Sequence, residues 1–180
     1  MREPAEIFSR EIEENLWIKE HLESGQQVGE HWVTGEYSYR SEYCAGDNVL
    51  LVGDAFAFLD PVFSSGLFLA LKSGELAAEH VERALEKGDT SAAQFKEYGE
   101  ELCLAIERMR KVVYAFYDEN FSFAKLVKRH PDLRPILTDL LIGDLFIDQF
   151  DELFAAIEEI CELPGELDYG FRTIAESTAS

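Results

Sequence analysis

Between Gly53 and Gly66 the chain concentrates residues whose types and spacing suit ligand chemistry. Asp54 follows a glycine, Asp60 precedes Pro61, and Ser64, Ser65 and Gly66 stand in a row. An ionised aspartate only accepts hydrogen bonds, so Asp54 suits a hydroxyl-rich ligand such as a sugar or sugar alcohol. Pro61 locks its own φ and pushes Asp60 out of the α region, which fixes the loop. Ser64-Ser65-Gly66 opens a helical pattern, and the first amides of a helix, reinforced by the macrodipole, attract an anion or a partly negative carbonyl. No G-x-S-x-G elbow surrounds the two serines, so helix capping is a better account of them than a nucleophile.

These residues need elements to hold them. Val49 to Val52 is a short apolar run closed by Gly53-Asp54, the pattern of a strand buried on both faces, with Asp54 at its carboxyl end, where open α/β sheets bind ligands. After Gly66 the apolar positions Leu67, Ala70, Leu71, Gly74, Ala77, Ala78, Val81 and Leu85 step by three and four up to Gly88, predicting one helix. Ala70, Gly74, Ala77 and Ala78 are small enough to let that helix lie close to a sheet, and close approach is the expected reason for a mid-helix glycine.

Elsewhere the pattern is mostly helical. Residues 3 to 24 predict an acidic amphipathic helix ended by Gly25; Gln27-Val28 and His31 to Arg40 predict one or two strands around Thr34-Gly35. Ser91 and Gln94 form a candidate capping box for a helix to Tyr117, with Phe95, Leu102, Ala105, Ile106, Met109, Val113 and Phe116 as its core stripe. Helices follow from Phe121 to about His130, from Ile136 to Leu141 behind Pro135, and from Phe146 to Cys161, and no strand pattern survives beyond Asp89.

The remaining candidates carry less. Cys44, Cys103 and Cys161 are odd in number and scattered, as expected of reduced structural thiols, and His21, His31, His80 and His130 have no paired spacing, so no metal site is expected. The aromatic run Tyr114, Phe116, Tyr117, Phe121 and Phe123 suits either core packing or an aromatic pocket. Asp144, Asp148 and Asp151 suit a solvated face. A net charge of −20 over 180 residues argues against nucleic acid and anionic membrane partners. The apolar stretch from Val49 to Leu71 is broken by Asp54, Asp60 and Pro61, and each aspartate would cost about 2.5–3.5 kcal/mol at the centre of a spanning helix. With no signal peptide in view, a cytoplasmic location is the default expectation.

At the Asn48 to Gly74 stretch the sequence resembles the FAD-dependent halogenase branch of the aromatic-hydroxylase-like flavoproteins, a superfamily that includes the geranylgeranyl-reductase-like enzymes. Tyr37 to Arg40, Cys44 to Asp47, Tyr114 to Phe123 and Leu141 to Asp144 are also similar to that family. The resemblance implies FAD as cofactor. Asp54 would bind the ribityl chain, Pro61 would shape the loop beneath the flavin ring, and the amides of Ser65, Gly66, Leu67 and Phe68 would face its pyrimidine edge, with a halide at Ser65 and Gly66. It further implies oxygen-dependent flavin hydroperoxide chemistry on a halide or on an aromatic or other organic small molecule. No catalytic residue is assigned to this chain, because the family's catalytic lysine lies in its N-terminal half.

The chain has no G-x-G-x-x-G, so the pyrophosphate-binding turn of a dinucleotide fold must come from a missing N-terminal half or a partner chain. The expected fold class is therefore an α/β fragment, mainly helical, in which a few strands complete a FAD-binding sheet and an α-helical C-terminal region follows. Residues 1–88 would belong to the FAD-binding and substrate domain, 89–174 to the helical region and 175–180 to a frayed tail. The isolated chain is not expected to be a competent oxidoreductase. Phe63 stands where tryptophan-acting members carry a glutamate, a departure that resembles the phenol- or pyrrole-acting branch or a non-halogenating relative. A reductase or hydroxylase of the same superfamily, and a non-catalytic binding or assembly module, are the alternatives.

Overall fold

The computed structural model describes residues 3–35 and 37–174, and its contacts divide the chain into two compact units, 1–36 and 37–180. The expected tail from residue 175 lies outside the described residues. In the first unit Pro4 opens helix α1 (Pro4–Glu14), where its missing amide costs nothing. The single helix expected over residues 3 to 24 is two helices. Asn15 is extended, and its side chain accepts from the Ile18 amide at 3.2 Å, capping α2 (Leu16–Leu22). No strand forms over the described residues of 25–36. Val28 and Trp32 are 89% and 91% exposed, and without a cross-strand partner or a face to bury, β-propensity has nothing to act on.

The second unit begins with short strands, β1 (Tyr39–Arg40), β2 (Tyr43–Gly46), β3 (Val49–Leu50) and β4 (Ala57–Phe58). A turn with Asn48 at φ 61° joins β2 to β3, a conformation asparagine tolerates better than most residues. The central strand expected over Val49 to Val52 is shorter than predicted and is not buried on both faces: it spans two residues, and Val49 and Val52 are exposed. β1 pairs antiparallel with β4. Among the described residues one strand lies beyond Asp89, against expectation: β5 (Arg172–Thr173) pairs parallel with β2, giving the order β3-β2-β5. Two residues are too few to show a period.

Helix α3 (Gly66–Lys87) ends at Gly88, whose φ of 68° closes the C-cap. Its buried face differs from the predicted stripe. Leu69, Ser73, Leu76, Ala77, His80 and Ala84 are buried, whereas Leu67, Leu71 and Leu85 are 74%, 68% and 65% exposed and Gly74 has open space beside it. Helix α4 (Lys96–Tyr117) follows a 3-10 turn at Ala92–Phe95. Ser91 makes no capping bond there; Asp89 accepts from the Ser91 amide at 3.0 Å and from Gln94 at 2.8 Å. α4 buries Leu102, Ala105, Ile106, Met109 and Val113, while Phe116 stays exposed.

α5 (Phe123–Arg129), α6 (Arg134–Leu141) and α7 (Asp151–Glu158) complete a mainly helical unit. α7 is half the predicted length, because Leu145 and Phe150 anchor the preceding loop in the core and Arg108 donates to the Leu145 carbonyl at 2.5 Å. Two apolar cores result. One gathers Cys44, Phe56, Leu76, Tyr98 and Leu102 between strands, α3 and α4; the other gathers Met109, Leu126, Leu140, Leu153 and Ile157 among the helices. Gly99 lets α4 reach the sheet, since a Cβ there would collide with Cys44 Sγ and lie 2.6 Å from the Phe171 carbonyl oxygen. No helix among the described residues is long and apolar enough to cross a membrane.

Candidate functional site

The N-terminal end of α3, the Gly53 turn and the Asp60-Pro61 loop enclose a cleft of about 230 Å³. The chain reaches it by folding a 3-10 turn at Gly53–Ala55, crossing β4, and turning again at Pro61–Phe63. Gly53 is required by its φ of 52° and by the approach of Ala70, whose Cβ would lie 3.1 Å from an added one. Its amide donates to the Ser73 hydroxyl at 2.9 Å, and Ser73 in turn donates to the Ala70 carbonyl at 3.1 Å. That relay ties the turn to α3 at Ser73, about two helical turns in from its start.

Of the six residues expected to hold a flavin, Asp54, Pro61, Ser65, Gly66 and Leu67 line the cleft. Phe68 does not; its ring lies over Gly143, which has no Cβ to displace it. The Asp54 carboxylate is exposed at the rim, while the Tyr39 hydroxyl donates to the Asp54 backbone carbonyl. Asp60 accepts from the Val62 amide at 2.8 Å and from the Tyr117 hydroxyl at 3.1 Å. Donation to Asp60 holds the Tyr117 phenol above its ordinary pKa.

The two serines do not cap α3. Ser64 sits in the left-handed region at φ 54°, and the buried Ser65 makes no side-chain capping bond. The first intrahelical bond runs from the Leu69 amide to the Ser65 carbonyl at 2.9 Å, so the amides of Gly66, Leu67 and Phe68 have no intrahelical acceptor. In a chain of net charge −20 the first turn of α3 carries no acidic side chain, which leaves the positive end of a 22-residue helix available to an electron-rich group. Gly66 has open space above its backbone. An uncapped helix end, an accepting carboxylate and a shallow cleft between them can receive an electron-rich edge and a hydroxyl-bearing chain.

Sequence reasoning gave no part in this cleft to Tyr39, Ser73, Tyr117 or Gly143, although all four lie in segments similar to the family. Ser73 carried a usable signal, a polar residue at a helix position that turns inward; the other three act across chain separations that no local pattern reveals. Part of the aromatic run joins them. Phe63 meets Phe116 edge-on at 5.4 Å and Phe123 at 6.2 Å, so an aromatic cluster lies behind the Pro61 loop, with Phe121 buried in the helical core. Cys44, Cys103 and Cys161 are buried thiols, and burial pushes the Cys103 thiol up to about 12. None of the three lines the cleft.

The tryptophan halogenase family matches residues 19–124. The chain is 29% identical over 160 residues to a 1H-pyrrole-2-carbonyl-[peptidyl-carrier protein] chlorinase of Pseudomonas fluorescens, covering 85% of this chain and 35% of the relative. It is 28% identical over 134 residues to the corresponding brominase of Pseudoalteromonas luteoviolacea, covering 72% of this chain and 31% of the relative. Among solved structures, the flavin-dependent brominase Bmp2 superposes with a TM-score of 0.67 at 27% identity, over 87% of this chain and 40% of that one. The chain thus spans about a third of the length of the two curated relatives. With the matched segment taking in the Gly53 turn, the Asp60-Pro61 loop and the whole of α3, the chain belongs to the tryptophan halogenase family.

Proposed function

We propose that this chain is the C-terminal part of a flavin-dependent halogenase and that its cleft holds the ribityl chain and pyrimidine edge of FAD. The observation that carries the reading is the uncapped N-terminus of α3 facing a cleft rimmed by Asp54. Asp54 would accept from ribityl hydroxyls, Pro61 would hold the loop against the ring, and the amides from Ser65 to Phe68 would stabilise negative charge on the pyrimidine edge. The Ser65 and Gly66 amides would also hold the halide. Bound FAD supplies the oxygen-activating chemistry, while the protein orients it. The strands around the Gly53 turn would complete a FAD-binding sheet in a cytoplasmic enzyme. That relatives of this chain are halogenases favours halide oxidation over the reductase or hydroxylase alternative.

The pyrophosphate-binding part would come from a longer chain or a partner. The exposed Leu67, Leu71, Val81 and Leu85 on α3, with Val52 beside the Gly53 turn, form an apolar surface suited to being covered by it. Phe63, in place of glutamate, and the two pyrrole-acting relatives support a pyrrole-type aromatic substrate over free tryptophan.

Titrating the chain with riboflavin and with FAD, followed by flavin fluorescence, tests this. A site for the ring and ribityl chain alone should bind both with affinities within about twofold, a difference of about 0.4 kcal/mol. Absence of binding up to millimolar flavin, or a strong preference for FAD, would overturn the assignment.

A further inference from the structure

At 1.5 Å per residue, His80 lies about 21 Å along the α3 axis from the cleft. It is 3% exposed, and its Nε2 is buried with no hydrogen-bond partner. Tyr98, also buried, meets the ring edge-on at 5.8 Å and limits its rotation. Across from it on α4 stand Glu97 and Glu101, four residues apart and hence on one face of that helix. The Glu101 Oε1 is 3.7 Å from His80 Nε2, too far for a hydrogen bond. One ligand atom from each of the three residues lies within 4.8 Å of the other two.

A buried imidazole nitrogen aimed at two carboxylates and bonded to neither suits a cation between them. The imidazole offers Nε2 as a lone-pair donor when Nδ1 carries the proton. Tetrahedral bonds of about 2.0–2.1 Å place ligand atoms about 3.4 Å apart. Nε2 and Oε1 are a few tenths of an ångström from that spacing, and the exposed Glu97 side chain has room to close the rest. One nitrogen and two oxygens suit a first-row transition ion such as Zn²⁺ better than Mg²⁺ or Ca²⁺, which prefer all-oxygen shells of six or more.

We propose that His80, Glu97 and Glu101 form a site for a divalent transition metal ion of the Zn²⁺ class, which clamps α3 to α4. The site is independent of the flavin assignment. Its present cation is Arg83, whose Nη1 lies 3.3 Å from Glu97 Oε2 and which is also tethered to the Glu79 carbonyl. Metal entry releases that guanidinium from Glu97. Spacing along the chain hides the site because its ligands come from two helices, and only their packing brings nitrogen to oxygen.

The test is titration of the full 180-residue chain with Co²⁺, read by its visible d–d absorption, and with Zn²⁺, read by displacement of Co²⁺ and by melting temperature. One Co²⁺ per chain, displaced by Zn²⁺, with a raised melting temperature that Mg²⁺ does not reproduce, is the expected result. Glu101→Gln replaces a charged ligand by a neutral amide and should weaken Co²⁺ binding by about tenfold or more. His80→Gln should do the same, and Arg83→Gln should tighten binding severalfold by removing the competing charge. Glu97 and Glu101 are at the surface, so Glu101→Gln and Glu97→Gln carry the test even where His80→Gln fails to fold. Absence of the absorption band, or undiminished binding in Glu101→Gln, sinks the proposal and assigns any bound ion to the general acidic surface.

Discussion

Two regions of the second unit handle polar groups in opposite ways. Behind the sheet, Arg40 and Arg110 converge on Glu107 in a seam from which water is excluded. The Arg40 and Glu107 side chains are 3% and 8% exposed, and their closest atoms are 2.7 Å apart. Arg110 reaches both Glu107 oxygens, Oε1 at 3.1 Å and Oε2 at 2.6 Å, and donates to the Gly165 carbonyl at 2.5 Å. Arg40 also donates to the Leu167 carbonyl at 3.2 Å and lies over the Tyr169 ring. Gly170 leaves the space its guanidinium stem occupies. The seam thus staples the segment after α7 to β1 and α4. At the start of α3, by contrast, the Gly66, Leu67 and Phe68 amides and the Asp54 carboxylate face a cleft and find no partner among the described residues. Charges taken out of water must be satisfied internally, because leaving one unpaired costs several kcal/mol. At the cleft the groups stay wet, where waiting for a ligand costs little.

The contrast can be broken hardest at Glu107. Glu107→Ala leaves two guanidinium groups facing each other in a dry seam and should destabilise the chain by about 3–5 kcal/mol, read from the urea midpoint. Gly99→Ala comes next. Its Cβ meets the Phe171 carbonyl and Cys44 Sγ, so α4 must move away from β2 and β5, at a cost of about 1–3 kcal/mol on the same measurement.

The dry region should also weaken in alkali. The Cys103 thiol is raised from 9.0 to about 12 by burial, so stability is full below pH 9 and is lost as pH climbs toward 12, where the unfolded chain has released a proton that the folded chain keeps. At pH 10 this amounts to about 1.4 kcal/mol, and Cys103→Ala should flatten that part of the stability profile. At the wet region the order reverses, with binding affected and folding spared. Asp54→Ala should leave the urea midpoint within about 0.5 kcal/mol of the parent, while riboflavin affinity falls by about tenfold. The smallest effect is expected of Tyr117→Phe, which removes a hydrogen bond between exposed groups and should shift stability by less than about 0.5 kcal/mol.

How much of this could be read from the chain depends on the range of the forces involved. The α3 boundaries followed from Gly66 and from Gly88, whose αL conformation closes the helix. Pro131 and Pro135 likewise marked the end of α5 and the start of α6 closely. The buried face of α3 was misread for a clear reason. Leu67, Leu71 and Leu85 lie on one stripe and are the strongest apolar signal, yet within this chain they face solvent, while Ser73 and His80 turn inward. Periodicity identifies an apolar face without saying which partner covers it. Asn15 broke the first helix because its side chain offers the backbone a competing acceptor, and in place of the expected Ser91 capping box Asp89 holds the Ser91 amide while Asp47, from a distant turn, accepts from the Ala92 amide at 2.9 Å.

At the cleft, Gly53-Asp54, Asp60-Pro61 and Ser64-Ser65-Gly66 were visible because turn, proline and helix-start chemistry is local. Their convergence was not, since it depends on the Gly53 amide meeting Ser73 and on Tyr117 reaching Asp60 across 57 residues of chain. Sequence alone therefore determined where helices start and stop, the turn residues and the acidic character of the chain, all set by interactions within a few residues. Only the tertiary structure decided which helix faces are buried, how Arg40, Glu107 and Arg110 pair, and where His80 meets Glu101, because burial and charge pairing are properties of neighbours in space.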